Sequence, residues 1–92
     1  MFTGKIAVLN SSKLPRIVWV EPWGEDYTLL PREQLEIICR DETEQPWFNL
    51  VENDDSSQVY IERGGDFEVL QDGKRLSCGH NRKYALDAGL KI

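Results

Sequence analysis

Chain-breaking residues recur along this sequence so closely that a long helix has no room to form. Asn10-Ser11-Ser12, Pro22-Trp23-Gly24, Pro31, Gln45-Pro46, Asn53 to Ser57, Gly64-Gly65, Asp72-Gly73 and Cys78-Gly79 cut the chain into segments of about 4–8 residues, which is strand length. The segments are Lys5–Leu9, Arg16–Glu21, Tyr27–Leu30, Leu35–Arg40, Trp47–Val51, Gln58–Glu62, Phe67–Gln71 and Lys74–Cys78. They are rich in β-branched and aromatic side chains, which fit a pleated, half-buried surface. The expectation is an all-β chain, an antiparallel β-sandwich or open barrel of about six to eight short strands. Residues 31–42 admit two readings. Pro31 and Glu33 could open a helix, whereas the alternation Leu35, Ile37, Cys39 favours a strand. A short C-terminal helix is expected over Asn81–Asp87, with Asn81 as N-cap and Gly89 as its stop.

The C-terminal half permits a register argument. Asp72-Gly73 is a strong two-residue hairpin signal, because a type I′ turn needs positive φ at both central positions. It sets Gln71 opposite Lys74, Val69 opposite Leu76 and Phe67 opposite Cys78. For the preceding turn, a two-residue Gly64-Gly65 loop would set Glu62 against Phe67. A three-residue loop, Arg63-Gly64-Gly65 with Gly65 in the left-handed position, instead gathers Val59, Ile61, Phe67, Val69, Leu76 and Cys78 on one face. This reading makes a three-stranded meander of residues 58–78 and predicts that Gly65→Val costs more stability than Gly64→Val. It also places Cys78, like Cys39, on the core side, where burial makes a thiol a poor nucleophile.

Composition bounds the rest. Ninety-two residues suit a single domain, residues 1–92, with a thin core. Three each of Trp, Tyr and Phe, with 40% hydrophobic residues, argue against disorder. No apolar run is longer than Ile17 to Val20, far short of the roughly 20 residues of a membrane span. The N-terminus lacks the pattern of a secretory signal, and two cysteines do not make a disulfide scaffold. A cytoplasmic protein with free thiols is expected. Sixteen acids against eleven bases give a net charge of −5, which disfavours a nucleic-acid partner.

No motif in the chain carries catalysis or metal binding. His80 is the only histidine, and with Cys39 and Cys78 it falls one ligand short of a closed zinc site. There is no Gly-x-Ser-x-Gly elbow, and the serines lie in turns or on a strand's outer face. The acidic loop Glu52-Asn53-Asp54-Asp55 lacks the calcium-loop spacing. Catalytic residues, metals and cofactors are therefore expected to be none.

Two features point towards binding. Trp19 to Tyr27 holds three aromatics and three acids in nine residues, and Trp47-Phe48 adds two more aromatics. Tryptophans in a small β protein usually belong to the core; if some of these aromatics line a concavity instead, Trp23 and Tyr27, near a turn, are the ones to be exposed. With Glu25 and Asp26 they would form an acidic aromatic surface for a basic or sugar-like partner. Charge is also uneven. Residues 1–62 hold twelve acids and five bases, net −7, whereas residues 63–92 hold four acids and six bases, net +2.

The stretch Val20-Glu21-Pro22-Trp23-Gly24-Glu25-Asp26-Tyr27-Thr28-Leu29-Leu30-Pro31, followed by Leu35-Glu36-Ile37, resembles small uncharacterised bacterial all-β proteins with a Glu-Pro-Trp-Gly turn. It also loosely resembles cupin-like β-sandwiches, without their histidine metal ligands. The resemblance implies an all-β barrel or sandwich and no transferable catalytic residues. The sequence thus points to a non-enzymatic binding or accessory module that contacts an unidentified protein partner, itself included, through Trp23, Glu25, Asp26 and Tyr27. The alternatives are a cupin-like binder of a small cationic or sugar-like ligand and a carboxylate-based enzyme.

Overall fold

Alternating apolar and polar side chains sort the short segments into two stacked layers. The computed structural model describes Met1 to Ile92. Its elements are β1 (Phe2–Leu9), β2 (Arg16–Glu21), β3 (Glu25–Leu29), β4 (Gln34–Asp41), β5 (Trp47–Glu52), β6 (Ser56–Arg63), β7 (Phe67–Gln71), β8 (Lys74–Arg75) and α1 (Arg82–Asp87). One sheet has the order β1-β4-β7-β8, the other β3-β2-β6-β5. All neighbours are antiparallel except β2 and β6, which run parallel. The architecture is an all-β sandwich of two open sheets with one short C-terminal helix. No helix is long and apolar enough to cross a membrane.

The core lies between the sheets. Val8, Leu35, Ile37, Cys39 and Val69 come from one layer, and Val18, Val20, Tyr27, Leu29, Val59 and Ile61 from the other. Of residues 31–42, Gln34–Asp41 form strand β4, because Leu35, Ile37 and Cys39 reach the core only with a two-residue period. Ile37 is fully buried between Ile6 of β1 and Val69 of β7. Burial also pushes the Cys39 thiol up from its ordinary pKa.

The meander expected over residues 58–78 does not form. β6 sits between β2 and β5, whereas β7 joins the opposite sheet between β4 and β8. Gly64 to Asp66 is therefore a crossover between layers. Gly64, not Gly65, has the positive φ (+151°) and packs on Cys39. Gly65 donates its N–H to Arg40 O at 3.1 Å. The physical reason is that β4 offers β7 a matching alternation, Ile37 beside Val69 and Cys39 beside Phe67. Most of the expected inner face survives this change of partner: Val59, Ile61 and Val69 are core residues, with Phe67 and Leu76 packed against them.

The Asp72-Gly73 turn forms as read, with φ of 51° and 78° and Gln71 opposite Lys74. β8 then stops at Arg75. Leu76 N–H still bonds Val69 O at 2.8 Å, but the chain next crosses to the other sheet, so Cys78 never pairs with Phe67. Cys78 is exposed rather than buried. After the crossing, Gly79 N–H donates to Asp26 O (2.7 Å) and His80 O accepts from Thr28 N–H (2.8 Å), which occupies the outer edge of β3. α1 follows and buries Ala85. Asn81 occupies the expected N-cap position in a left-handed conformation, and its side chain makes no cap bond. Gly89, at φ 82°, follows the helix and bonds Leu86 O.

Candidate functional site

The early end of β8 leaves the first half of β7 without an outer neighbour. A cleft of about 420 Å³ opens there, between β7 and the start of β3 in the facing sheet. Phe67, Val69 and Leu76 supply its apolar surface, Glu25 and Tyr27 line it from β3, and Ser77 and Cys78 bridge the two layers. Glu68 and Arg75 complete its polar rim.

Local geometry explains each polar group. Tyr27 pairs with Val18 and shares its inward face with Leu29, so its ring fills the space between the sheets. Its hydroxyl donates to Glu25 Oε1 at 2.6 Å. Burial, and then this bond to a carboxylate, push the phenol above the ordinary tyrosine pKa. Glu68 is paired with Arg40 at 3.1 Å. Glu25 and Arg75 line the same cleft, and neither forms an ion pair. Beside the cleft, Trp23 stacks on Phe67 with ring centroids 5.0 Å apart and a 31° tilt.

The four residues singled out from sequence therefore separate. Trp23 is 51% exposed and Glu25 half-buried. Tyr27, expected at the surface, is only 3% exposed, because strand parity outweighs its nearness to a turn. Asp26 is 2% exposed and points to the opposite face of β3. There its Oδ1 and Oδ2 accept from Arg82 Nη2 and Nε at 2.5 and 3.0 Å, and the Cys78 thiol lies 3.7 Å from Oδ1. The carboxylate raises the Arg82 pKa above its ordinary value. Asp26 is thus the anchor of the C-terminal segment and no part of the cleft.

The tryptophans do not form the core either. Trp47 is 52% exposed and Trp19 half-buried. Phe67, Glu68 and Arg75 are missing from the site read from sequence because that site rests on the Trp19–Tyr27 stretch alone, and the meander register pairs Phe67 with Ile61 in the core instead of setting β7 opposite β3. The signal that would have found them is the shortness of any strand between the Asp72-Gly73 turn and Gly79. No group of three or more His, Cys, Asp or Glu side chains is arranged to hold a metal.

Fold and site together define an all-β sandwich with a polar-rimmed cleft on one side and a C-terminal segment strapped to one sheet edge. Compared with protein-family models, curated proteins and solved structures, the chain matches none of them.

Proposed function

We propose that this chain is a non-enzymatic binding module that takes an extended segment of a protein partner along the cleft between β3 and β7. A lysine or arginine of the partner would pair with Glu25, flanked by Tyr27 and the Trp23–Phe67 stack. The observation that carries this reading is the Glu25 carboxylate itself. It is half-buried in an aromatic-walled cleft and bonded to Tyr27, yet it has no cationic partner. A guest cation would gain a charge-assisted hydrogen bond and an aromatic neighbour at once. Arg75, also unpaired on the rim, would take a carboxylate or carbonyl of the same segment. The free thiols of Cys39 and Cys78 suit a reducing compartment such as the cytoplasm.

The test is calorimetric titration with an unstructured lysine–serine peptide, with Trp23 fluorescence as a second readout. Binding should weaken about tenfold in Glu25→Gln, the scale of one lost charge-assisted bond, and a glutamate–serine peptide should not bind. Equal affinity of the Glu25→Gln variant would refute the reading. The cleft volume also lies in the range of small-molecule sites, about 300–1,000 Å³. Saturation by a simple primary amine, with no added affinity from the peptide, would replace the protein partner with a small cationic ligand.

A further inference from the structure

The two sheets have four edge strands, and three of them are blunted. The outer edge of β3 is occupied by Gly79 and His80. β8 is two residues long and both are charged, Lys74 and Arg75. β1 carries Lys5 in its middle, paired with Glu36 at 3.1 Å. Covering, shortness and charge are the devices by which sheets avoid joining other chains. β5 lacks them over its middle, between a register shift in its ladder at Trp47/Phe48 and the charged Glu52 at its end. It pairs with β6 alone, and Trp47 to Val51 are uncharged. Trp47, Leu50 and Val51 are 52%, 41% and 38% exposed.

The free backbone groups of this edge can be assigned. Asn53 N–H donates to Ser56 O at 2.8 Å where the β5–β6 hairpin closes. Antiparallel bonding alternates along a strand, so Val51 and Asn49 also direct their N–H and C=O groups to β6. Those of Phe48 and Leu50 point outward.

We propose that the β5 edge pairs with the β5 edge of a second copy of this chain, antiparallel about Asn49, joining two four-stranded sheets into one. In that register Phe48 and Leu50 of one copy exchange hydrogen bonds with Leu50 and Phe48 of the other. Trp47 stands across from Val51 of the second copy, and Asn49 across from its own equivalent. Inward side chains meet inward ones, a match that a one-residue slip destroys. A two-residue shift, centred on Leu50, would set Phe48 against Glu52. In the Asn49-centred register Glu52 falls against Pro46, so no acid faces an acid although each copy carries −5. This absence of charge conflict within a self-matching pattern makes the second copy the occupant. Pro46 has no N–H and ends the pairing there. An interface one strand wide belongs to the small, transient class, below about 1,200 Å².

Sedimentation equilibrium from about 10 μM to about 1 mM, the range that resolves such affinities, tests the proposal on the full chain. The unmodified protein should show a monomer–dimer equilibrium. Leu50→Pro, which removes an outward N–H while leaving the β6 bonds, should weaken it at least tenfold. Val51→Glu should do the same by placing a carboxylate against Trp47, with circular dichroism confirming the fold. Adding Trp47→Lys to Val51→Glu should restore association, because the two positions meet only between copies: within one strand they are about 13 Å apart. A monomer at every concentration, dimers indifferent to Leu50→Pro and Val51→Glu, or a double variant no tighter than Val51→Glu would each overturn it.

Discussion

A single methyl group placed at Gly64 should destabilise this protein far more than one placed at its neighbour Gly65. A Cβ at Gly64 would lie closer than 3.0 Å to the Cys39 sulfur, more than about 1 Å inside an ordinary contact of roughly 3.5–4.0 Å. The residue also holds φ +151°, a conformation that costs an L-residue about 1–3 kcal/mol. Overpacking of the fully buried thiol adds about 1–3 kcal/mol more, so Gly64→Ala should cost about 2–6 kcal/mol of a stability near 5–15 kcal/mol. Gly65 has no positive φ, and a Cβ there would meet Arg40 O at 3.1 Å. A small shift relieves that contact, and about 1 kcal/mol is expected. Urea unfolding followed by tryptophan fluorescence reads both values. Removing the sulfur separates the two causes: Cys39→Ala combined with Gly64→Ala should recover about 1–3 kcal/mol as coupling energy, leaving the backbone term. A Gly64→Ala variant within about 0.5 kcal/mol of the unmodified protein, or a coupling of zero, would refute the crossover geometry.

Three further outcomes follow from the same structure. The raised Tyr27 phenol favours the folded state while protonated, so its contribution is complete below about pH 10 and is lost as pH rises through the folded value. One tyrosine should ionise late in ultraviolet titration, together with unfolding, and Tyr27→Phe should remove that alkaline sensitivity. Asp41 accepts from Glu44 N–H, Thr43 N–H and the Thr43 hydroxyl, which hold its carboxyl below the ordinary range. Its contribution is present above the unfolded value and falls as pH drops through the folded one, so an acid-unfolding midpoint unchanged in Asp41→Asn would contradict the assignment. Arg82→Ala leaves the buried Asp26 carboxylate unpaired and should release the C-terminal segment, with the amides of Gly79 and Thr28 exchanging hydrogen together and faster than those of β4.

The elements were legible because their causes are local. Seven of the eight strand segments and the C-terminal helix stand where punctuation and alternation place them, the eighth starts at Lys74 but stops at Arg75, and residues 34–41 follow the Leu35/Ile37/Cys39 period. Partnership was not legible. A Gly-Gly turn looks the same whether it closes a hairpin or carries the chain between layers. The choice is made by packing of Gly64 on Cys39 and of β7 on β4, contacts between residues more than twenty positions apart. The candidate site inherited that gap. Glu25 and Trp23 could be named from the turn they share, but their cleft exists only because β7 faces β3. Asp26 was misassigned to a surface because nothing near it in sequence announces Arg82.

The parallel ladder between β2 and β6 has a consequence for how the chain acquires its structure. Ile17 finds its register partner at Ser56, and β4 finds its second neighbour only at Phe67. Such distant pairings carry a large loop-closure entropy before any ladder forms, which places a fold of this kind among the slower ones, in about the millisecond-to-second range. During synthesis the Ile17-Val18-Trp19-Val20 strand therefore waits with one side open until nearly forty further residues have emerged. That interval, more than any weakness of the finished sandwich, is when this chain is most exposed to pairing with the wrong neighbour.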